Sequence, residues 1–124
     1  MNSKWADKWI EALRSGKYIQ GQGALTRLRL DKLDLDCCLG VVCKLVGGPK
    51  EVMGDVVFYG SSHEDGSYTN LPLNVVHALG MRSYSGVFAQ DNYGGLGVSL
   101  TGCNDSGFTF SQIADIIDYF RDEL

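Results

Sequence analysis

Residues 3–14 place Trp5, Ala6, Trp9, Ile10, Ala12 and Leu13 within one arc of roughly 160° at 100° per residue. That spacing predicts an amphipathic helix. Ser3 is expected as its N-cap and Gly16 as its left-handed stop. The next stretch, KYIQGQGALTRLRL, reads as a β-hairpin turned at Gly21 and Gly23. Its second strand alternates Leu25, Leu28 and Leu30 with Thr26, Arg27 and Arg29, and the slip at Arg27–Leu28 suggests a bulge.

Residues 36–46 are apolar on nearly every side. They read as a buried central helix capped by Asp36 and stopped by Gly47-Gly48. Gly40 is expected to let a neighbouring element approach closely. DVVFYG reads as a strand, SSHEDGS as a solvated turn, and LPLNVVHAL as a short helix stopped by Gly80. SYSGVFAQDNYGGLGVSL reads as strand, glycine-rich loop, strand. Thr109 and Gln112 form a capping box. Behind it Phe110, Ile113, Ile116, Ile117, Phe120 and Leu124 make one stripe, opposite Asp115, Asp118 and Asp122. Helices mixed with short strands in this order predict an α+β fold with a small antiparallel sheet. At 124 residues a single domain, 1–124, is expected.

Composition adds little to this picture except through glycine: 16 glycines against two prolines favour tight turns. No apolar run reaches membrane-spanning length, and residues 1–20 lack a signal-peptide core. The protein is therefore expected to stay in the cytoplasm where it is made, without membrane contact. Its net charge of −4 argues against stable nucleic-acid binding. The charge is unevenly spread. Residues 1–50 carry nine Lys/Arg and five Asp/Glu, whereas residues 51–124 carry two Arg and ten Asp/Glu. Either complementary surfaces meet in a homo-oligomer, or a basic site sits on an acidic body, or the two halves interleave in the fold.

The stretch LDCCLGVVCKLVGG holds three cysteines within seven positions. On a helix Cys37, Cys38 and Cys43 project at roughly 0°, 100° and 240°, so they diverge, whereas metal ligands must converge. The expected role is packing in a reducing compartment. No metal, no cofactor and no catalytic residue is assigned. Walker, G-x-S-x-G and H-E-x-x-H motifs are all absent from the sequence.

Several segments together carry a resemblance: W…AL.SGKY.Q..G.L, CCLGV.C, LP..V, LGM and NDSG…F..IADII. The chain resembles a family of small, functionally uncharacterised proteins encoded by phages, prophages and some bacteria. The resemblance implies a phage-type protein acting in the bacterial cytoplasm and carries over no catalytic residues. Cys103 stands where the pattern has a plain hydrophobe.

Four surfaces could carry function. In the segment RSGKYIQGQGALTRLR, Arg14, Lys17, Arg27 and Arg29 are close in sequence. Tyr18 offers a stacking ring, Gln20 an amide, and Gly21 and Gly23 accessible N–H groups. Cations, a ring and glycines suit a phosphate-bearing ligand, although a merely solvated basic hairpin would look the same. Asn104, Asp105 and Ser106 precede the last helix and could line a polar pocket or simply make a turn. NYGGLG (92–97) could cradle a ligand, and His63, Glu64 and Asp65 could do acid–base work, but both also read as ordinary loops. His77 reads as a helix residue.

The leading expectation is a non-enzymatic protein that binds and sequesters a small phosphate-bearing, nucleotide-derived host defence signal. Two alternatives stand beside it. One is an inhibitor of a host protein acting through the acidic last helix. The other is a small nucleotide hydrolase using Asp105 with His63 or Glu64.

Overall fold

A computed structural model describes residues 1–29, 33–61, 67–89 and 98–124. Among them the order is α1 (Ser3–Arg14), β1 (Ile19–Gln20), β2 (Thr26–Arg27), β3 (Leu35–Asp36), α2 (Cys38–Val46), β4 (Lys50–Met53), β5 (Val56–Tyr59), α3 (Leu73–Leu79), β6 (Val87–Phe88), β7 (Val98–Ser99), α4 (Leu100–Asp105) and α5 (Phe110–Phe120). The fold is α+β.

The α2 helix runs through the centre, with Cys38, Leu39, Gly40, Val41, Val42 and Cys43 all buried. Around it α1 contributes Ala6, Trp9 and Leu13, and α5 contributes Phe110, Ile113, Ala114 and Ile117. Trp9 is wholly buried, and its indole N–H donates to the Cys38 carbonyl at 2.9 Å. The large ring can therefore be buried without leaving its one donor unmet.

The sheet departs from the expected hairpin. Its order is β1-β3-β2-β5-β4, so β3 lies between the two strands that the sequence pairs. β1 runs parallel to β3 and β2 antiparallel to it, which makes the sheet mixed, not purely antiparallel. The glycines Gly21 and Gly23 do not close a two-residue turn. The segment between them and β2 is drawn inward instead: Leu25 is fully buried and Gly21 N–H donates to the Asp36 carbonyl at 2.8 Å. β2 ends at Arg27, where the sequence suggests a bulge; Arg27 pairs with Val56 of β5, and Leu28 N–H donates to Asp55 O. β4 was not expected. It forms a hairpin with β5 across Gly54-Asp55, where Gly54 adopts the left-handed region at φ +65°.

Two helix starts also move. Asn2 caps α1, its side-chain oxygen accepting from Lys4 and Trp5 N–H, while Ser3 is the first helical residue. Cys37 caps α2 through sulfur, accepting from Gly40 N–H. Asp36 lies in β3 and is engaged elsewhere: its carboxylate accepts from the Thr26 hydroxyl at 2.6 Å and from the Lys44 ammonium at 2.8 Å. The Thr109–Gln112 capping box forms as expected. α5 ends at Phe120, after which the chain hooks back. Leu124 is fully buried, and Arg82 N–H donates to its carbonyl at 2.7 Å.

The basic and acidic halves interleave within one chain. Arg14 pairs with Asp115, Arg27 with Asp55, and Arg121 with Asp7. Residues far apart in the sequence thus answer one another's charge within the same chain. No helix among the described residues is long and apolar enough to cross a membrane.

Candidate functional site

Asn104 sits on α4, a helix of six residues that the sequence reads as a turn. Its side chain is fully buried. The side-chain oxygen accepts from Gln20 Nε2 at 2.9 Å and from Cys38 N–H at 3.1 Å, and the side-chain nitrogen donates to Gly21 O at 2.8 Å. Gln22 Nε2 donates to the Asn104 carbonyl at 3.1 Å, and Gly23 N–H donates to the Asp105 carboxylate at 3.1 Å. Gln20 gives its second amide proton to Phe108 O at 2.7 Å. The QGQG segment and the NDSG segment thus do meet. They meet as a hydrogen-bond knot that commits the buried Asn104 amide and the Gln20 side-chain nitrogen to protein partners.

The site residues expected from sequence therefore separate into groups. Gln20, Gly23, Asn104 and Asp105 form the knot, and Ser106 ends α4 beside it. Arg14 and Arg27 lie in exposed ion pairs with Asp115 and Asp55, and Arg29 Nε donates to Leu33 O. Such surface pairs contribute only ~0–1 kcal/mol each. Their carboxylates nevertheless offset the charge that a phosphate would seek. One oxygen of the exposed Asp105 carboxylate accepts from Gly23 N–H. His63, Glu64, Asp65 and residues 92–97 lie outside the described residues. His77 is exposed on α3.

Lys17 and Tyr18 have a different setting. They line a cleft of about 380 Å³ together with Trp5, Lys8, Glu11 and Ser15 of the α1 region and Leu45 of α2. Trp5 and Tyr18 are partly buried, lining the cleft and packing against the core. The Lys8 ammonium lies 4.8 Å from the Trp5 ring centroid, within cation–π range. Gly16, at φ +75°, turns the chain from α1 towards Tyr18, and Ser15 Oγ accepts from Lys17 N–H at 3.2 Å. The cleft thus combines two aromatic rings, two ammonium groups and one carboxylate, at a volume within the range of small-molecule sites.

Residues 1–121 match DUF8296, described as a domain of unknown function. The chain belongs to the DUF8296 family. No curated protein and no solved structure matches it.

In this DUF8296 chain the cleft residues missed in the sequence were Trp5, Lys8 and Glu11. A signal was present. Trp5 lies at the edge of the apolar arc of α1, and Lys8, Ala12 and Ser15 follow at i+3, i+7 and i+10, which is one helix face. A tryptophan at such an edge has one face to pack and one to offer.

The DUF8296 cysteines serve the core. Cys37, Cys38, Cys43 and Cys103 are free and buried, and no metal-holding cluster of His, Cys, Asp and Glu occurs among the described residues. Burial pushes the Cys37 thiol up to about 11 and the Cys38 and Cys43 thiols well above their ordinary value. The thiolate is the form that reacts. Iodoacetamide should therefore label Cys38 and Cys43 of the native protein far more slowly than the same sites in denaturant, as read by peptide mass spectrometry. Equal rates in the two states would contradict a packing role.

Proposed function

We propose that this protein binds a small phosphate-bearing, nucleotide-derived molecule in the Trp5–Tyr18 cleft and holds it without chemical change. The observation that carries this reading is the pairing of two rings with Lys8 and Lys17 around one cavity. A base is a flat π surface that stacks on an aromatic ring with little sequence demand. The ammonium groups answer the phosphate charge. In the cellular reading, the molecule is a defence signal of a bacterial host, and the protein is a phage-type factor that sequesters it in the cytoplasm. The phage-type sequence motifs support that setting.

The test begins with purified protein incubated in an extract of defence-activated cells, then washed and heated. Mass spectrometry should find an intact nucleotide-derived molecule in the supernatant. Altered product would support hydrolysis in place of capture. Tyr18→Ala and Lys17→Glu should each weaken capture about tenfold or more, the usual size of a lost base stack, with melting temperatures nearly unchanged. Arg27→Glu with Arg29→Glu should leave capture nearly intact, because neither side chain lines the cleft. The reverse ranking would move the site back to the basic strand.

A second reading has one observation in its favour. Tyr119 on α5 is 83% exposed, beside Asp118 and Asp122. A ring among carboxylates suits a basic protein surface. Capture unaffected by Tyr119→Ala, together with loss of a host-protein contact, would favour that reading.

A further inference from the structure

A second cavity, of about 200 Å³, adjoins the cleft. Lys17 and Tyr18 line both. Small-molecule sites usually occupy about 300–1,000 Å³, so the second cavity is too small to be a site of its own, and the first lies near the bottom of that range. Together they fall well inside it. We propose that the two are lobes of one site divided by Tyr18, and that its ligand is a nucleotide whose phosphate carries a second sugar. The proposal rests on the cleft being a nucleotide site and names what that nucleotide bears.

The chemistry of the second lobe differs from that of the first. Its polar groups are Lys17, Asp34, Asp36 and Lys44. Lys44 donates to Asp34 at 2.9 Å and to Asp36 at 2.8 Å, which commits two of its three protons. Burial alone would pull the Lys44 ammonium down. The bonds to Asp36 and Asp34 outweigh that, and the net shift is upward. Asp36 is buried and engaged by Thr26 and Lys44. Asp34 is more open, its side chain 37% exposed, and one of its oxygens holds Lys44. An ionised carboxylate has about four acceptor positions. Asp34 therefore keeps capacity for donors from a ligand.

Those facts select the occupant. Two carboxylates disfavour a phosphate in this lobe. A second base is disfavoured too: the lobe is small, and Lys44, which lines only this lobe, already sits 6.0 Å from the Tyr18 ring centroid. A sugar fits, because its hydroxyls are the donors that Asp34 can accept. Lys17, common to both lobes, is placed for the phosphates that join the sugar to the nucleoside stacked between Trp5 and Tyr18.

Calorimetric titration should compare ADP-ribose with ADP and UDP-glucose with UDP, so that a preference for purine or pyrimidine does not obscure the result. In each pair the sugar-bearing probe should bind at least tenfold more tightly, wherever its base is accepted. On Asp34→Ala the sugar-bearing probe should bind no more tightly than the plain diphosphate measured on the same variant. Leu33→Trp adds bulk to the same lobe while keeping Asp34, Asp36 and Lys44 in the sequence, and it should give the same selective loss, which guards against misfolding of the first variant. Equal binding of sugar-bearing and plain diphosphates overturns the two-lobed site and leaves the cleft reading standing. A preference that survives both variants also overturns it, since the sugar then lies elsewhere. Binding of none of the four probes overturns both readings.

Discussion

Replacing Gly40 with alanine is expected to unfold the protein or lower its melting temperature by at least about 15 °C. A β-carbon built at this position lies 1.8 Å from the Leu25 carbonyl oxygen and 2.7 Å from its carbon. Both are backbone atoms, so no side-chain rotation can relieve the overlap. The Leu25 carbonyl is also held in place, since it accepts from Cys37 N–H at 3.0 Å just before α2 begins. Moving it would strip that bond and lift Leu25, which is fully buried, out of the core. Ordinary overpacking costs about 1–3 kcal/mol when side chains can shift. Here the contact is backbone against backbone, and more than about 4 kcal/mol is expected. At about 4 °C per kcal/mol for a chain of this size, the melting shift follows. Differential scanning calorimetry reads it directly. A Gly40→Ala protein melting within a few degrees of the parent would show that α2 and the Leu25 segment can separate, and the packing described for them would have to be revised.

Asn104→Leu is the second large effect. Leucine matches asparagine in size and can neither donate nor accept. The substitution strands Cys38 N–H and Gly21 O, both buried, and removes one partner of Gln20. A buried group left unpaired costs about 1–3 kcal/mol, so about 3–5 kcal/mol is expected in total. The melting temperature should fall by roughly 10–20 °C. Asn104→Asp adds a test of mechanism. A protonated carboxyl can still donate to Gly21 O and accept from Cys38 N–H, whereas the carboxylate faces Gly21 O with like partial charge. Burial raises the carboxyl's pKa in the folded state above its unfolded value of about 3.9. Folding then favours the protonated form, so stability is present at low pH and lost as pH rises. The variant should lie closer to the parent at pH 4 than at pH 8. A deficit that is flat with pH would mean that the knot is not held by this donor and acceptor pattern.

These two positions show how unequally the sequence reveals its structure. The role of Gly40 is visible in one dimension, because a glycine inside a helix with apolar residues all round has few uses other than close approach. The role of Asn104 is not visible there. NDSG has the composition of a turn, and the short α4 helix containing Gly102 shows no periodicity to contradict that. Asn104 acts on Gly21, which is 83 residues away in the chain. The expected β1–β2 hairpin fails for the same reason. Local spacing favours pairing neighbours in sequence, but β3 takes the place between them, parallel to β1 and antiparallel to β2. Asp36 likewise looks like a cap until Thr26 and Lys44 compete for its carboxylate.

The candidate site follows the same division. Lys17 and Tyr18 were legible as a cation beside a ring. Which of the surrounding charges remained available was not. Arg14 and Arg27 are answered by Asp115 and Asp55, distant in sequence and acidic for reasons that no local motif records. Trp5 and Lys8 line one cavity with Tyr18, which follows α1 after the left-handed turn at Gly16.

By itself the sequence determined the elements with strong periodicity or caps, the buried character of the cysteine helix and the α+β class. Each of these depends on neighbours within a few residues, where backbone geometry is the same in any fold. Tertiary structure alone decided the strand order, the partner of every charged side chain discussed here and the meeting of Trp5 with Tyr18. Those depend on which distant groups satisfy one another first, and a linear pattern carries no record of that competition.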